Sequence, residues 1–189
     1  NKAMDVAVAK FEEWKTVSYK KRADYLFKAA KLMKKHRFEL NAVMILEVGK
    51  TWPEADADTA EAIDFLEFYA REMLRYGVEH PVVPNKGEKG KLVYIPLGVG
   101  VVVPPWNFAL AILTGMTSAA IVTGNTVVLK PSSDSPLTGW KYYEIMEEVG
   151  LPAGVLNFVS GPGSAVGDTL IAHPKTRFIS FTGSKEVGI

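Results

Sequence analysis

Residues 97–108 read Leu97-Gly98-Val99-Gly100-Val101-Val102-Val103-Pro104-Pro105-Trp106-Asn107-Phe108, and their reading decides the fold. The stretch is apolar without alternation, as a strand covered on both faces should be. Two prolines then end it, because proline cannot sustain a central strand. A helical run of small residues follows over 109–123, and Val127-Val128-Leu129 forms the heart of a second strand over 125–130. The same unit then repeats. Ser135-Pro136 opens a helix that closes at Gly150, and residues 155–159 form a strand. Residues 163–172 form a short helix, residues 177–181 a strand, and Ser184 starts one more helix. This β-α-β-α-β-α-β order predicts an α/β protein with a doubly wound, mostly parallel Rossmann-type sheet.

Upstream of the sheet the spacing is helical. Residues 2–14 and 18–48 read as amphipathic helices, with Leu26, Ala30, Met33, Leu40, Val43 and Met44 near one face of the second. Gly49 stops that helix. Pro53 suits the first turn of a third, which runs to Tyr76 and stops at Gly77. Ile63, Leu66, Ala70 and Met73 are its expected buried stripe, and Asp56, Asp58, Glu61 and Asp64 read as a solvated face. Pro81, Pro84, Gly87 and Gly90 mark residues 78–91 as an exposed loop, followed by a β-rich stretch over 92–103. The expected organisation is therefore helices over 1–77, an extended linker over 78–96, and βα units over 97–189.

Composition excludes several functions. The 189 residues are 48% hydrophobic and 23% charged, ordinary globular values that argue against disorder. A net charge of +1 supplies no field for nucleic acid. Residues 1–50 hold 12 basic and 6 acidic side chains, but the basic ones alternate with apolar ones, as on a solvated helix face. Cysteine is absent, which removes disulfides, thiolate metal sites and cysteine nucleophiles. His36, His80 and His173 lack ligand spacing, so no metal site is expected. No apolar run nears the roughly 20 residues of a membrane span. The expected compartment is the cytoplasm, with an organelle matrix as the alternative. The chain starts at Asn1 inside a helical pattern and ends at Ile189 just beyond a strand-to-helix junction, so it reads as a segment of a longer polypeptide.

Ligands of open α/β sheets bind beyond the carboxyl ends of the strands. Those ends carry Pro104-Pro105-Trp106-Asn107-Phe108, Lys130-Pro131-Ser132-Ser133, Ser160-Gly161-Pro162-Gly163 and Thr182-Gly183-Ser184. The Asn107 amide, on a turn stiffened by prolines, either donates to a developing oxyanion or closes its own turn. Lys130 either meets ribose or phosphate oxygens or is a strand end reaching solvent. Gly161 to Gly167 runs G-x-G-x-x-x-G, one residue off the dinucleotide fingerprint, and otherwise reads as a tight turn. Ser184 is either a phosphate contact or a plain helix cap.

Taken in order, these junctions resemble the aldehyde dehydrogenase superfamily. The resemblance is carried by Pro105-Trp106-Asn107-Phe108, Gly124 to Ser132 (GNTVVLKPS), Gly150 to Asn157 (GLPAGVLN) and Phe181-Thr182-Gly183-Ser184. Glu47 to Asp56 (EVGKTWPEAD), Glu61 to Phe65 (EAIDF) and Tyr69-Ala70-Arg71 look like the branch that oxidises glutamate γ-semialdehyde, the open form of 1-pyrroline-5-carboxylate, to glutamate in proline breakdown. The resemblance implies roles. Asn107 would stabilise the oxyanion of a thiohemiacetal, and Trp106 and Phe108 would wall the space between cofactor and aldehyde, with Pro105 and Trp106 on the cofactor side and Phe108 on the substrate side. Lys130, Ser132 and Ser133 would meet the adenosine ribose, Gly161 and Gly163 the adenine, and Gly183 and Ser184 the pyrophosphate. Glu61 would lie near the substrate mouth.

The implied cofactor is NAD. Many NAD-preferring members carry a glutamate where this chain has Ser133, and a serine does not repel the 2′-phosphate of NADP, so NADP use stays open. The family's thiolate nucleophile and its water-activating glutamate are expected beyond residue 189, which makes this chain alone inactive. The implied partners are a small-molecule aldehyde and further copies of the enzyme, through a strand that residues 80–96 would help supply. A non-catalytic nucleotide-binding or partner-binding module is the alternative.

Overall fold

The computed structural model describes residues 2–188. Its four strands are β1 (Val99–Val103), β2 (Thr126–Leu129), β3 (Leu156–Phe158) and β4 (Thr176–Phe181). All pairs are parallel and the order is β3-β2-β1-β4. Parallel neighbours need crossovers. Helix α5 (Ala111–Val122) joins β1 to β2, and α6 (Pro136–Glu148) joins β2 to β3. A π-type turn at Gly163–Gly167 leading into α7 (Asp168–Ile171) joins β3 to β4, and α8 (Lys185–Gly188) follows. Strand β1 is flanked by both β2 and β4, so the order reverses there and a crevice opens at its carboxyl end. The doubly wound sheet is the fold that the unbroken valine run predicts.

Both faces of β1 and β2 are covered, whereas β4 at the edge carries no buried residue. Val102, Val127, Leu129 and Leu156 join the large core built with the helices. Val99, Val101 and Val128 pack on the other face against Met4, Ala7 and Leu170. Gly100 permits a close approach, since a Cβ there would lie 2.2 Å from the Phe178 ring.

Four helices precede the sheet: α1 (Lys2–Trp14), α2 (Tyr19–Lys35), α3 (Arg37–Val48) and α4 (Trp52–Tyr76). The single helix expected over 18–48 is in fact two. His36, at φ −93° and ψ 14°, caps the end of α2 and the start of α3. Both halves still feed one core, because Leu26, Ala30, Met33, Leu40 and Met44 are all buried, with Val43 only half-buried. Helix α4 starts on a reciprocal cap between Thr51 and Glu54 with proline in its first turn. Leu66, Ala70 and Met73 are buried as expected, and Ile63 is half-buried.

Two expectations are corrected. The acidic residues of α4 do not share one solvated face. Asp58 is 2% exposed, on the stripe of Ala55, Ala62 and Leu66, and Asp56 is held by Arg37 and Asn41. Only Glu61 and Asp64 are exposed. The β-rich stretch over 92–103 is a strand only from Val99. Before it there is one isolated antiparallel bridge, His80 to Leu92, because no other strand among the described residues lies beside that segment. The side chains of Leu92, Val93, Tyr94, Ile95 and Leu97 are exposed.

Side chains tie the helices to the sheet layer. Trp14 Nε1 donates to the Ile121 carbonyl at 3.1 Å. Arg22 donates through Nε to the Val122 carbonyl at 2.7 Å and through Nη1 to the Val17 carbonyl. A cation at the carbonyl end of α5 also meets the negative end of its dipole. Ser135 precedes α6 as expected but its side chain makes no capping bond. The cap comes from α3. The Glu47 carboxylate accepts the Leu137 N–H at 2.6 Å, the Thr138 N–H at 2.8 Å and the Thr138 hydroxyl at 2.6 Å.

Candidate active site

The carboxyl ends of β1, β2 and β4, with the turn that follows β3, converge on a cleft of about 520 Å³. Pro105, Trp106, Asn107, Lys130, Ser132, Ser133, Gly163, Gly183 and Ser184 all line it, joined by Asp134, Thr182 and Val187. Nine of the predicted residues therefore meet in one place although they are spread over some 80 positions of sequence. Gly161 is outside that lining. The two loops still touch there, since the Ser133 hydroxyl donates to the Gly161 carbonyl at 3.5 Å. Gly161 has φ +147°, a conformation that side-chain-bearing residues rarely adopt.

Lys130 does not reach solvent as a strand end would. It is 5% exposed, and its Nζ donates to the Pro131 carbonyl at 3.1 Å. Burial lowers its pKa. Among the described residues it has no carboxylate partner, so the ammonium offers unspent donors on the cleft wall. Ser132 Oγ accepts the Asp134 N–H at 3.3 Å and shapes the loop beside it. At the opposite wall, the backbone N–H of Glu186 and the nearby Ser184 hydroxyl hold the Glu186 carboxyl below its usual range.

Asn107 also lines a second cleft, of about 350 Å³, with Phe108, Glu61, Lys50, Glu54 and Asp58. The expected substrate-side residues Phe108 and Glu61 are thus together, across Asn107 from the first cleft. Lys50 and Asp58 are features of this site that the sequence reading missed. The available signal was an aspartate at helical spacing on an alanine and leucine stripe.

A family model for the aldehyde dehydrogenase family matches residues 1–189. The chain belongs to the aldehyde dehydrogenase family. This aldehyde dehydrogenase chain is 55% identical over 188 residues to the 1-pyrroline-5-carboxylate dehydrogenase of Bacillus mycoides (strain KBAB4), covering 100% of the chain and 36% of that protein. Among solved structures it resembles a 1-pyrroline-5-carboxylate dehydrogenase from Thermus with bound NAD. That match has 50% identity and a TM-score of 0.95, covering 98% of this chain and 36% of the other. It also resembles proline utilization A from Bdellovibrio bacteriovorus, inactivated by N-propargylglycine, at 44% identity and TM-score 0.94, covering 98% and 19%. The Bacillus and Thermus relatives carry the name of the branch that the sequence motifs resemble. This aldehyde dehydrogenase chain spans about a third of the length of the curated relatives it matches. None of its described helices is long and apolar enough to cross a membrane.

Proposed function

We propose that these residues are the cofactor side of a longer, cytoplasmic, NAD-dependent enzyme that oxidises glutamate γ-semialdehyde to glutamate. The observation that carries this reading is the convergence of Asn107, Lys130 and Ser184 on one cleft at the switch point of the sheet. In the proposed organisation, residues 1–77 and 97–189 form one cofactor-binding unit, and residues 78–96 are an extended segment engaged by further copies of the enzyme.

The cleft suits part of a dinucleotide. Lys130 offers buried donors, Ser132 and Ser133 offer hydroxyls, and Gly163 stands in open space where a Cβ would meet nothing. Lys130, Ser132 and Ser133 hold the adenosine ribose. Gly161 and Gly163 border the base, and Gly183 and Ser184 face the phosphates. NAD, when bound, accepts a hydride. Ser133 leaves NADP as a second cofactor, since it brings no negative charge against a 2′-phosphate. On the other side Asn107 turns its amide to the aldehyde oxygen, where a donor held in place is worth most as negative charge develops. Trp106 and Phe108 wall that space, with Pro105 stiffening the turn, and Glu61 sits at the mouth of the second cleft.

The chemistry needs a nucleophile and a water-activating base. The chain has no cysteine, so the 189 residues alone have no turnover. The test is to follow NADH formation from glutamate γ-semialdehyde and NAD with the 189-residue chain and with the complete enzyme. Turnover only by the complete enzyme is the expected result. Turnover by the chain alone would overturn the assignment of roles. NAD binding without turnover by the complete natural polypeptide would establish a non-catalytic binding module instead.

A further inference from the structure

We infer that the buried Lys50–Asp58 ion pair positions Asn107 for catalysis; the inference rests on the proposed role of Asn107. Asp58 belongs to α4, and Lys50 lies in the link between α3 and α4, far from the sheet in sequence. Their side chains are 1% and 12% exposed, so the pair is largely desolvated. One carboxylate oxygen engages the Lys50 ammonium. The other accepts the backbone N–H of Ala111 at 2.6 Å, the first residue of α5. That N–H has no partner inside its own helix. The Lys50 ammonium in turn sits 4.9 Å from the centre of the Phe108 ring.

The pair thus grips the chain at two points just after the catalytic candidate. Phe108 is the next residue after Asn107, and Ala111 is four residues on. Pro104 and Pro105 restrict the turn on its other side. Asn107 itself is exposed, on the wall between the two clefts. The orientation of its amide depends on what holds the backbone on either side of it. Stability alone is a poor account of such a pair, because well-packed apolar replacements are often equally stable. A fixed geometry at the turn is what the two charges supply. Small misplacements of a reacting group can cost about 100-fold in rate.

The test uses the complete enzyme with Asp58→Asn, Lys50→Met, Lys50→Arg and the Asp58→Asn/Lys50→Met double variant. Three quantities are read: steady-state kcat for the aldehyde, equilibrium Kd for NAD, and hydrogen exchange of the peptide over 105–113 by mass spectrometry. Expected are a fall in kcat of about 10- to 100-fold for Asp58→Asn and for Lys50→Met, and an NAD Kd unchanged within about twofold. Exchange should rise about tenfold over 105–113 and not in β2 or β3. Lys50→Arg recovers most of kcat, and the double variant is no worse than the poorer single one.

An unmoved kcat in folded Asp58→Asn and Lys50→Met enzymes overturns the inference. So does a loss of kcat matched by weaker NAD binding and faster exchange throughout, which would make the pair a general scaffold element. Absence of aldehyde oxidation by the unsubstituted enzyme would instead refute the proposed reaction. In that event unchanged exchange over 105–113 in the variants still overturns the pair as an anchor of this turn, and a rise confined there supports it.

Discussion

Removing the Glu47 carboxylate should uncap α6 from a distance. Leu137 and Thr138 are in the first turn of that helix, and their N–H groups have no partner within it. Ser135, placed to supply one, makes no such bond, and its hydroxyl is buried without a partner. Glu47 takes both N–H groups and also the hydroxyl of Thr138, a residue 1% exposed. Loss of an N-cap costs about 1 kcal/mol. Loss of an anion at the positive end of a helix dipole costs about 0.3–1 kcal/mol more. A buried hydroxyl left unpaired adds about 1–3 kcal/mol. Glu47→Ala should therefore lower stability by about 2–5 kcal/mol, the sum of these contributions. Glu47→Gln keeps a carbonyl acceptor but no charge and should lose only about 1 kcal/mol. Urea unfolding followed by circular dichroism measures both, provided the slope against urea is unchanged. A Glu47→Ala chain within about 0.5 kcal/mol of the unsubstituted one would refute the reasoning, because surface substitutions commonly lie inside that limit.

Substitutions at two further positions test other buried charges. Burial lowers the Lys130 pKa in the folded chain, whereas unfolded lysine keeps its ordinary value near 10.5. Between those two values the unfolded chain binds more protons, so stability should rise with pH through that window and level off above it. Lys130→Met should flatten that rise in urea titrations run across alkaline pH, and an undiminished rise would show that other groups cause it. Arg22→Met deprives the Val122 and Val17 carbonyls of their donor and should cost about 2–4 kcal/mol. Arg22→Lys should recover less than half of this in the same urea experiment, since a single ammonium does not reproduce the fork of the guanidinium. Equal stability of the Lys and Arg proteins would contradict that geometry.

The βα rhythm was legible because every strand carried its own signature. An apolar run ending in prolines, lysine or glycine marks both a buried strand and the edge where ligands bind. Lys130, Asn107 and Ser184 could therefore be named together before any contact was visible. What sequence did not disclose were pairings across distance. Glu47 and Thr138 are 91 residues apart, and Asp58 and Ala111 are 53 apart. Nothing in the local pattern says that a carboxylate on one helix will terminate another. The Asp58 reading failed for a related reason. A charge at helical spacing usually faces water, and here two buried donors compensate its desolvation. The break at His36 was hidden because residues on both sides continue the same apolar period.

The strand order has a consequence for how the chain is made. On the ribosome the four described helices emerge before any of the described strands. β1 comes next and becomes the middle of the described sheet. β2 then lies against β1, and β3 against β2, each finding its neighbour already synthesised. β4 alone turns back, to the other flank of β1, after the first flank is occupied. After β1, each described strand meets a neighbour that is already synthesised. Parallel pairing is slow and prone to aggregation when partners are far apart in sequence. This order limits that exposure, because growth outward from β1 lets hydrogen bonding keep pace with translation.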